Sequence, residues 1–147
     1  FIIETLTDNK NRSASSIRTV LQKNGGRLGE SGSTTYLFYN CGVIHINKKN
    51  FTEEKVFEMA TNFGAKDCFH LESAHEVVSE KEDFYKIKSL FEKKIDNFEY
   101  SGIEWRALSY LNLSKEQNEK IVEILESLEE LDDVQNIYTN ASLGNTK

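Results

Sequence analysis

Apolar residues recur along the chain at two spacings, which predicts a protein built of both helices and strands. Spacings of three and four residues predict helices over 13–24, between Thr52 and Gly64, over 83–95 and over 115–130. Stretches rich in β-branched and aromatic residues predict strands at 1–7, 34–39, 43–46, 66–71, 75–79, 98–108 and 134–138.

The predicted helices carry their own start and stop signals. Ser13 and Thr52 are expected to cap the first two helices, because a side-chain oxygen at that position accepts a hydrogen bond from the first helical turn. Ser114 and Gln117 form a capping box at the start of the last helix. Gly64 supplies the left-handed conformation that ends the second helix.

The order of these elements predicts the topology. A break at Asn40-Cys41-Gly42 separates the strand 34–39 from a block that runs strand, helix, strand, strand, helix, strand. That order is the ferredoxin-like, or split βαβ, arrangement. We therefore predict an α+β fold in which a ferredoxin-like domain, residues 42–108, is inserted into a discontinuous α+β domain made of residues 1–41 and 109–147.

Composition fits a globular protein without a membrane segment. The chain has 147 residues, of which 38% are hydrophobic, enough for one or two packed domains. No apolar run approaches the roughly 18–20 residues that cross a bilayer, and no secretory signal is recognisable. Cys41 and Cys68 are therefore expected to be reduced thiols in the cytoplasm. Because the chain opens at Phe1 within a predicted strand, further residues are expected upstream.

Charge is distributed unevenly, which points to the first forty residues as a contact for nucleic acid. The formal net charge is −6, yet residues 1–40 carry five basic and three acidic side chains. Phosphate attraction depends on such local patches. Cationic side chains beside the amides of a helix start suit phosphate oxygens, although a solvated loop also fits so short a charge run. The predicted contact residues are Asn9, Lys10, Asn11, Arg12, Arg18, Lys23 and Arg27.

The glycine-rich segment Gly29–Ser33 does not predict an enzyme. A phosphate-binding loop must open a helix, whereas this segment leads into a predicted strand. The spacing Gly-x-Ser-Gly also differs from that of a nucleophile elbow. No catalytic residue, cofactor or small-molecule substrate is therefore predicted.

Possible metal ligands also lack a recognisable pattern. The spacings of Cys41, His45, Cys68, His70 and His75 match no usual zinc motif, and ordinary strand positions are expected for them. The acidic segment 129–133 is expected to form a solvated turn after the last helix. No metal site is predicted.

Several motifs resemble the signature of the YebC/PmpR family, and together they span nearly the whole chain. They are LTDNKNR at 6–12, IR at 17–18, KNGGRLG at 23–29, GS at 32–33, YLF at 36–38, GVI at 42–44 and LDDVQNIYTN at 131–140.

The resemblance implies that residues 1–147 are the second and third domains, with the ferredoxin-like third domain inserted in the second and a helical domain upstream. It also implies a non-enzymatic, DNA-binding regulator of transcription. Related proteins act as translational activators associated with the ribosome, so binding to the ribosome or its RNA is the alternative. An organelle-targeted homologue would be mitochondrial. The target DNA sequence and the oligomeric state stay open.

Overall fold

The chain has the predicted α+β fold in a computed structural model that describes residues 1–143. In chain order the elements are β1 (Ile2–Thr5), α1 (Lys10–Lys23), β2 (Phe38–Ile46), α2 (Glu53–Phe63), β3 (Asp67–His70), β4 (His75–Glu80), α3 (Phe84–Glu92), β5 (Tyr100–Ala107), β6 (Leu111–Asn112), α4 (Lys115–Glu129), β7 (Val134–Tyr138) and β8 (Ala141–Ser142).

The chain divides into two compact units. The terminal unit consists of Phe1–Tyr39 and the segment from Arg106 onward, and the central unit is Asn40–Trp105. The domain boundaries that we predict from the sequence, after residues 41 and 108, remain a prediction.

A four-stranded sheet organises the central unit, with strand order β3-β4-β2-β5. β4 runs antiparallel to both β2 and β3. The first and third strands of the βαββαβ block therefore lie in the middle of the sheet, as in ferredoxin-like folds. Alternate residues of β2, Ile44 and Ile46, pack with Val56 of α2 and with Ile87 and Phe91 of α3, and each is at most 1% exposed.

The terminal unit joins the two ends of the sequence. β1 pairs antiparallel with β7, and the short β6 pairs parallel with β8. Ile17 and Leu21 of α1 pack with Ile124 and Leu128 of α4, and all four are buried. Burying such side chains is worth roughly 1.5–3 kcal/mol each, so this contact is a main source of the unit's stability.

Local signals for two helices are confirmed. The Thr52 side chain accepts from the Lys55 amide, and Gly64 ends α2 with a φ of 89°. At α4, the Ser114 hydroxyl and the Gln117 side chain form the reciprocal capping box.

The predicted cap of the first helix is wrong. α1 begins three residues earlier, because Asn9 is its N-cap and accepts from the Arg12 amide at 3.1 Å. Lys10, Asn11 and Arg12 therefore belong to the helix and not to a loop before it. Ser13 lies inside the helix and is only 4% exposed.

The strand predicted over 34–39 is wrong over 34–37, and the break predicted after it is wrong as well. Thr35–Leu37 form a single 3₁₀ turn, and β2 then runs without interruption through Asn40, Cys41 and Gly42. Gly42 lies where Phe84 and Ser79 come against the strand, so it marks close packing and not a turn. The other predicted elements are present with shifted ends; the helix predicted over 83–95, for example, is Phe84–Glu92.

Gly42→Ala is expected to destabilise the central unit. Its Cβ would lie 2.7 Å from the Phe84 Cβ and would also overlap the Ser79 hydroxyl. Overpacking of this kind costs about 1–3 kcal/mol. Urea unfolding followed by the fluorescence of Trp105, the single tryptophan, measures the reduction in stability.

Gly102→Ala in β5 is the matched control. There the added Cβ would meet only the far end of the Tyr100 side chain, which can move aside. An unfolding free energy for Gly42→Ala equal to that of Gly102→Ala would contradict the proposed overlap.

Candidate nucleic-acid interface

The seven predicted contact residues all lie on α1 or beside it in the terminal unit. Asn9 caps the helix, Lys10, Asn11 and Arg12 form its first turn, and Lys23 is its last residue. Arg18 lies in its third turn and Arg27 in the loop that follows it. All seven are exposed. One helix and its two flanks therefore carry all seven residues.

Arg12 is tied to carboxylates. Its guanidinium donates to Asp133 from Nε at 3.3 Å and from Nη2 at 3.0 Å, and Nη2 also donates to Asp8 at 3.0 Å. These hydrogen bonds, Asp133 first, raise the pKa of Arg12. The positive charge of Arg12 is therefore compensated by two carboxylates of the same chain, Asp8 and Asp133.

Asp133 is surrounded by donors from the start of α1. Its Oδ2 accepts from the Ser13 hydroxyl at 2.5 Å and from the Thr7 hydroxyl at 3.1 Å, in addition to Arg12. We call Thr7, Arg12 and Ser13 the Asp133 cradle. The Ser13 hydrogen bond, followed by that of Arg12, lowers the pKa of Asp133. The expected solvated turn is therefore wrong for Asp133, whose side chain is 22% exposed.

Sequence reasoning missed this cluster because its parts lie 120 residues or more apart. The one local hint was the position of Asp133 in an acidic segment after α4, where acids oppose the helix dipole. An unfavourable local position indicates that a charge has a partner elsewhere, but it does not say which.

The other four cations are not paired in this way. Within residues 1–143, no carboxylate lies within 4.0 Å of a side-chain nitrogen of Lys10, Arg18, Lys23 or Arg27.

The cations on α1 do not form one stripe. At about 100° per residue, Arg18 projects from α1 roughly 120° away from Arg12 and 140° away from Lys23. Arg18 and Asn11, seven residues apart, share one side of the helix. A phosphate backbone running along α1 would therefore meet Arg18 and Lys23 on different sides.

An acidic groove lies on the opposite side of α1 from Arg18. Its volume is about 500 Å³, and it is lined by Arg12, Ser13, Ser16 and Ile17 of α1 and by Glu130, Leu131, Asp132, Asp133 and Val134. The charge asymmetry of the sequence is thus altered by folding, because α4 and its acidic end pack beside the basic helix. The side of α1 that carries Arg18 and Asn11 is the one directed away from these acids.

Two of the histidines considered as metal ligands meet in the central unit. His70 Nδ1 lies 2.9 Å from His75 Nδ1, and His75 Nε2 lies 2.7 Å from the Phe51 carbonyl oxygen. A carbonyl can only accept, so the Nε2 of His75 carries a proton. Across residues 1–143, no three His, Cys, Asp or Glu side chains are placed to hold a metal ion.

The two cysteines are not joined in a disulfide. Cys41 is buried and Cys68 is half-buried. Burial raises the pKa of the Cys68 thiol, which disfavours the reactive thiolate. In the part of the chain described, no helix is long and apolar enough to cross a membrane.

Fold and surface together define an α+β protein with a basic helix on a discontinuous unit and a ferredoxin-like central unit. Residues 1–141 match the family model described as the TACO1/YebC second and third domain. The chain belongs to this family, as its motifs predicted.

Two bacterial proteins are similar to this chain over nearly its whole length. The chain is 41% identical over 144 residues to a "probable transcriptional regulatory protein" of Pelagibacter ubique, covering 98% of this chain and 60% of the relative. It is 37% identical over 139 residues to a protein of the same description from Zymomonas mobilis, covering 95% and 56%. The chain thus spans about three fifths of the length of these curated relatives.

A solved structure has the same fold. The crystal structure of a conserved hypothetical protein from Aquifex aeolicus superimposes with a TM-score of 0.83 at 34% sequence identity, covering 99% of this chain and 61% of that one. The arrangement of helices and strands is therefore shared with that protein.

Asp133→Asn is expected to reduce the acid sensitivity of the terminal unit. The folded-state pKa of Asp133 is lowered, so its ionised form stabilises the fold above the unfolded-state pKa of about 3.9. That contribution disappears as pH falls through the folded-state pKa. Urea unfolding followed by circular dichroism at about pH 6 and about pH 3 should show a smaller decrease in stability for Asp133→Asn than for the wild type.

Asp132→Asn is the control, since Asp132 is the exposed neighbour of the same residue type. It should keep the wild-type decrease in stability on acidification. An unchanged acid response in Asp133→Asn would mean that the cradle contributes nothing to the pH dependence.

Proposed function

We propose that this chain is part of a non-enzymatic, DNA-binding regulator of transcription that contacts the phosphate backbone through the terminal unit. The observation that carries the proposal is the set of exposed cations without a carboxylate partner, Lys10, Arg18, Lys23 and Arg27. Such side chains bind phosphate and release condensed counterions, which makes binding favourable and salt-dependent.

The relatives support the regulatory part of the proposal. Proteins from Pelagibacter ubique and Borreliella afzelii, 41% and 39% identical to this chain, are both described as probable transcriptional regulatory proteins. Because such a regulator acts on the chromosome, the proposal includes a cytoplasmic location.

We propose different roles for the predicted residues. Lys10, Arg18, Lys23 and Arg27 supply charge, and Asn11 lies on the same side of α1 as Arg18. The Asn9 oxygen already accepts from the Arg12 amide, so Asn9 fixes where the helix begins. Contacts to phosphate position a protein on nucleic acid but do not read sequence.

The alternative partner, the ribosome or its RNA, would use the same cations. RNA and DNA both present phosphodiesters, whereas their grooves differ in width and in the 2′-hydroxyl group. A comparison of the two polymers at matched salt therefore tests the choice of partner independently of the site.

Replacing the four unpaired cations together is expected to weaken DNA binding strongly. For every phosphate that the variant no longer neutralises, the slope of log affinity against log salt should become shallower by about 0.9 on duplex DNA. The measurement is fluorescence anisotropy with duplex DNA at several salt concentrations. It compares the full-length gene product with its Lys10→Ala, Arg18→Ala, Lys23→Ala, Arg27→Ala variant.

A second quadruple variant controls for net charge. It replaces four exposed lysines of the central unit with Ala and so changes the charge equally; they are Lys81, Lys86, Lys93 and Lys94. If both variants weaken DNA binding to the same extent, the terminal-unit site is wrong. If the protein bound ribosomes tightly and in a salt-sensitive way but did not bind DNA, the function would be in translation and not in transcription.

A further inference from the structure

We infer that the Asp133 cradle is a phosphate site on which a backbone phosphodiester of nucleic acid replaces the carboxylate of Asp133. Asp133 then acts as an internal competitor that restrains binding. The inference rests on the proposed function, because a polyanion must first be drawn to the neighbouring cations.

The donors of the cradle suit phosphate as well as carboxylate. One guanidinium and two hydroxyls converge on one oxygen, Oδ2, at 2.5–3.3 Å, and Arg12 Nη2 also reaches Oδ1 at 3.2 Å. Arginine forks bind phosphate in the same geometry as carboxylate, and hydroxyls donate to either anion. All three side chains would donate to an oxygen of an anion both before and after phosphate replaces the carboxylate.

The cradle can be reached from solvent at Arg12, whereas Ser13 is buried. The side chain of Arg12 is 53% exposed, and the open groove of about 500 Å³ runs beside it. Asp133 can yield its place by side-chain rotation alone, because its backbone carbonyl is held separately by the Leu6 amide at 2.9 Å.

The surroundings select a polymer over a free ion. Glu130 and Asp132 line the same groove, and Asp8 contacts Arg12, so three further carboxylates oppose a single small anion. Lys23 projects from the same side of α1 as Arg12, about 20° away. A polymer held there by several of its phosphates meets this repulsion at only one of them. The phosphodiester can come from DNA or RNA, and inorganic phosphate alone should not displace Asp133.

The test is a mutant cycle on the full-length gene product, with duplex DNA and single-stranded RNA as separate probes. Asp133→Asn removes the competing charge while keeping the shape of the side chain. It should tighten binding about two- to fivefold, the range typical of one exposed ion pair.

Two variants separate this effect from general charge. Glu129→Gln, on the exposed surface of α4 outside the groove, changes the net charge equally and should have a smaller effect. In an Arg12→Ala background, Asp133→Asn should no longer tighten binding. Equal effects of Asp133→Asn and Glu129→Gln, or an Asp133→Asn effect that survives Arg12→Ala, would overturn the inference.

A wild-type measurement covers the case in which Asp133→Asn does not fold. The ¹⁵N–¹H signal of Arg12 Nε should shift on titration with nucleic acid and stay in place with inorganic phosphate. An unmoved signal during saturable binding overturns the cradle but leaves the proposed function standing. If the wild type binds neither polymer, the proposed function fails, and the cradle inference fails with it.

Discussion

The packing of α1 against α4 is the contact on which the rest of the terminal unit depends. Ile17 and Leu21 meet Ile124 and Leu128 at a small apolar core, and Phe1, Ile3 and Ile137 cover it from the strand pair. Neither helix can bury its apolar stripe alone, because each has only one such face. The two ends of the chain therefore have to come together, with the central unit inserted between them in sequence.

This packing also sets the electrostatics of the candidate interface. α4 and the turn after it carry most of the acids of the terminal unit, and they arrive beside the most basic helix of the chain. Arg12 is then compensated by Asp133, while Arg18 is directed away from the acidic groove. The basic segment of the sequence thus forms a surface on which Arg12 is paired with a carboxylate and Arg18 is not. The same apolar contact that holds the fold decides which cations are available.

Patterns that act within a few residues were predictable. The capping box of Ser114 and Gln117 and the glycine stop at Gly64 depend on local backbone geometry, and both are present. The strand order of the central unit followed from element order, since a βαββαβ block has few unknotted solutions. The start of α1 was misplaced because Ser13 and Asn9 are both good caps, and only the partner of Ser13, on a distant turn, distinguishes them.

Sequence alone determined the α+β class, the family motifs and the set of basic residues at the front of the chain, because composition and short-range spacing carry that information. Tertiary structure alone decided that Gly42 lies under Phe84, that Asp133 reaches the start of α1, and that Arg12 is paired while Arg18 is not. These facts depend on contacts between segments far apart in the chain. Periodicity and local propensity do not encode which distant side chains meet. Only the folded surface therefore shows which charged side chains are paired.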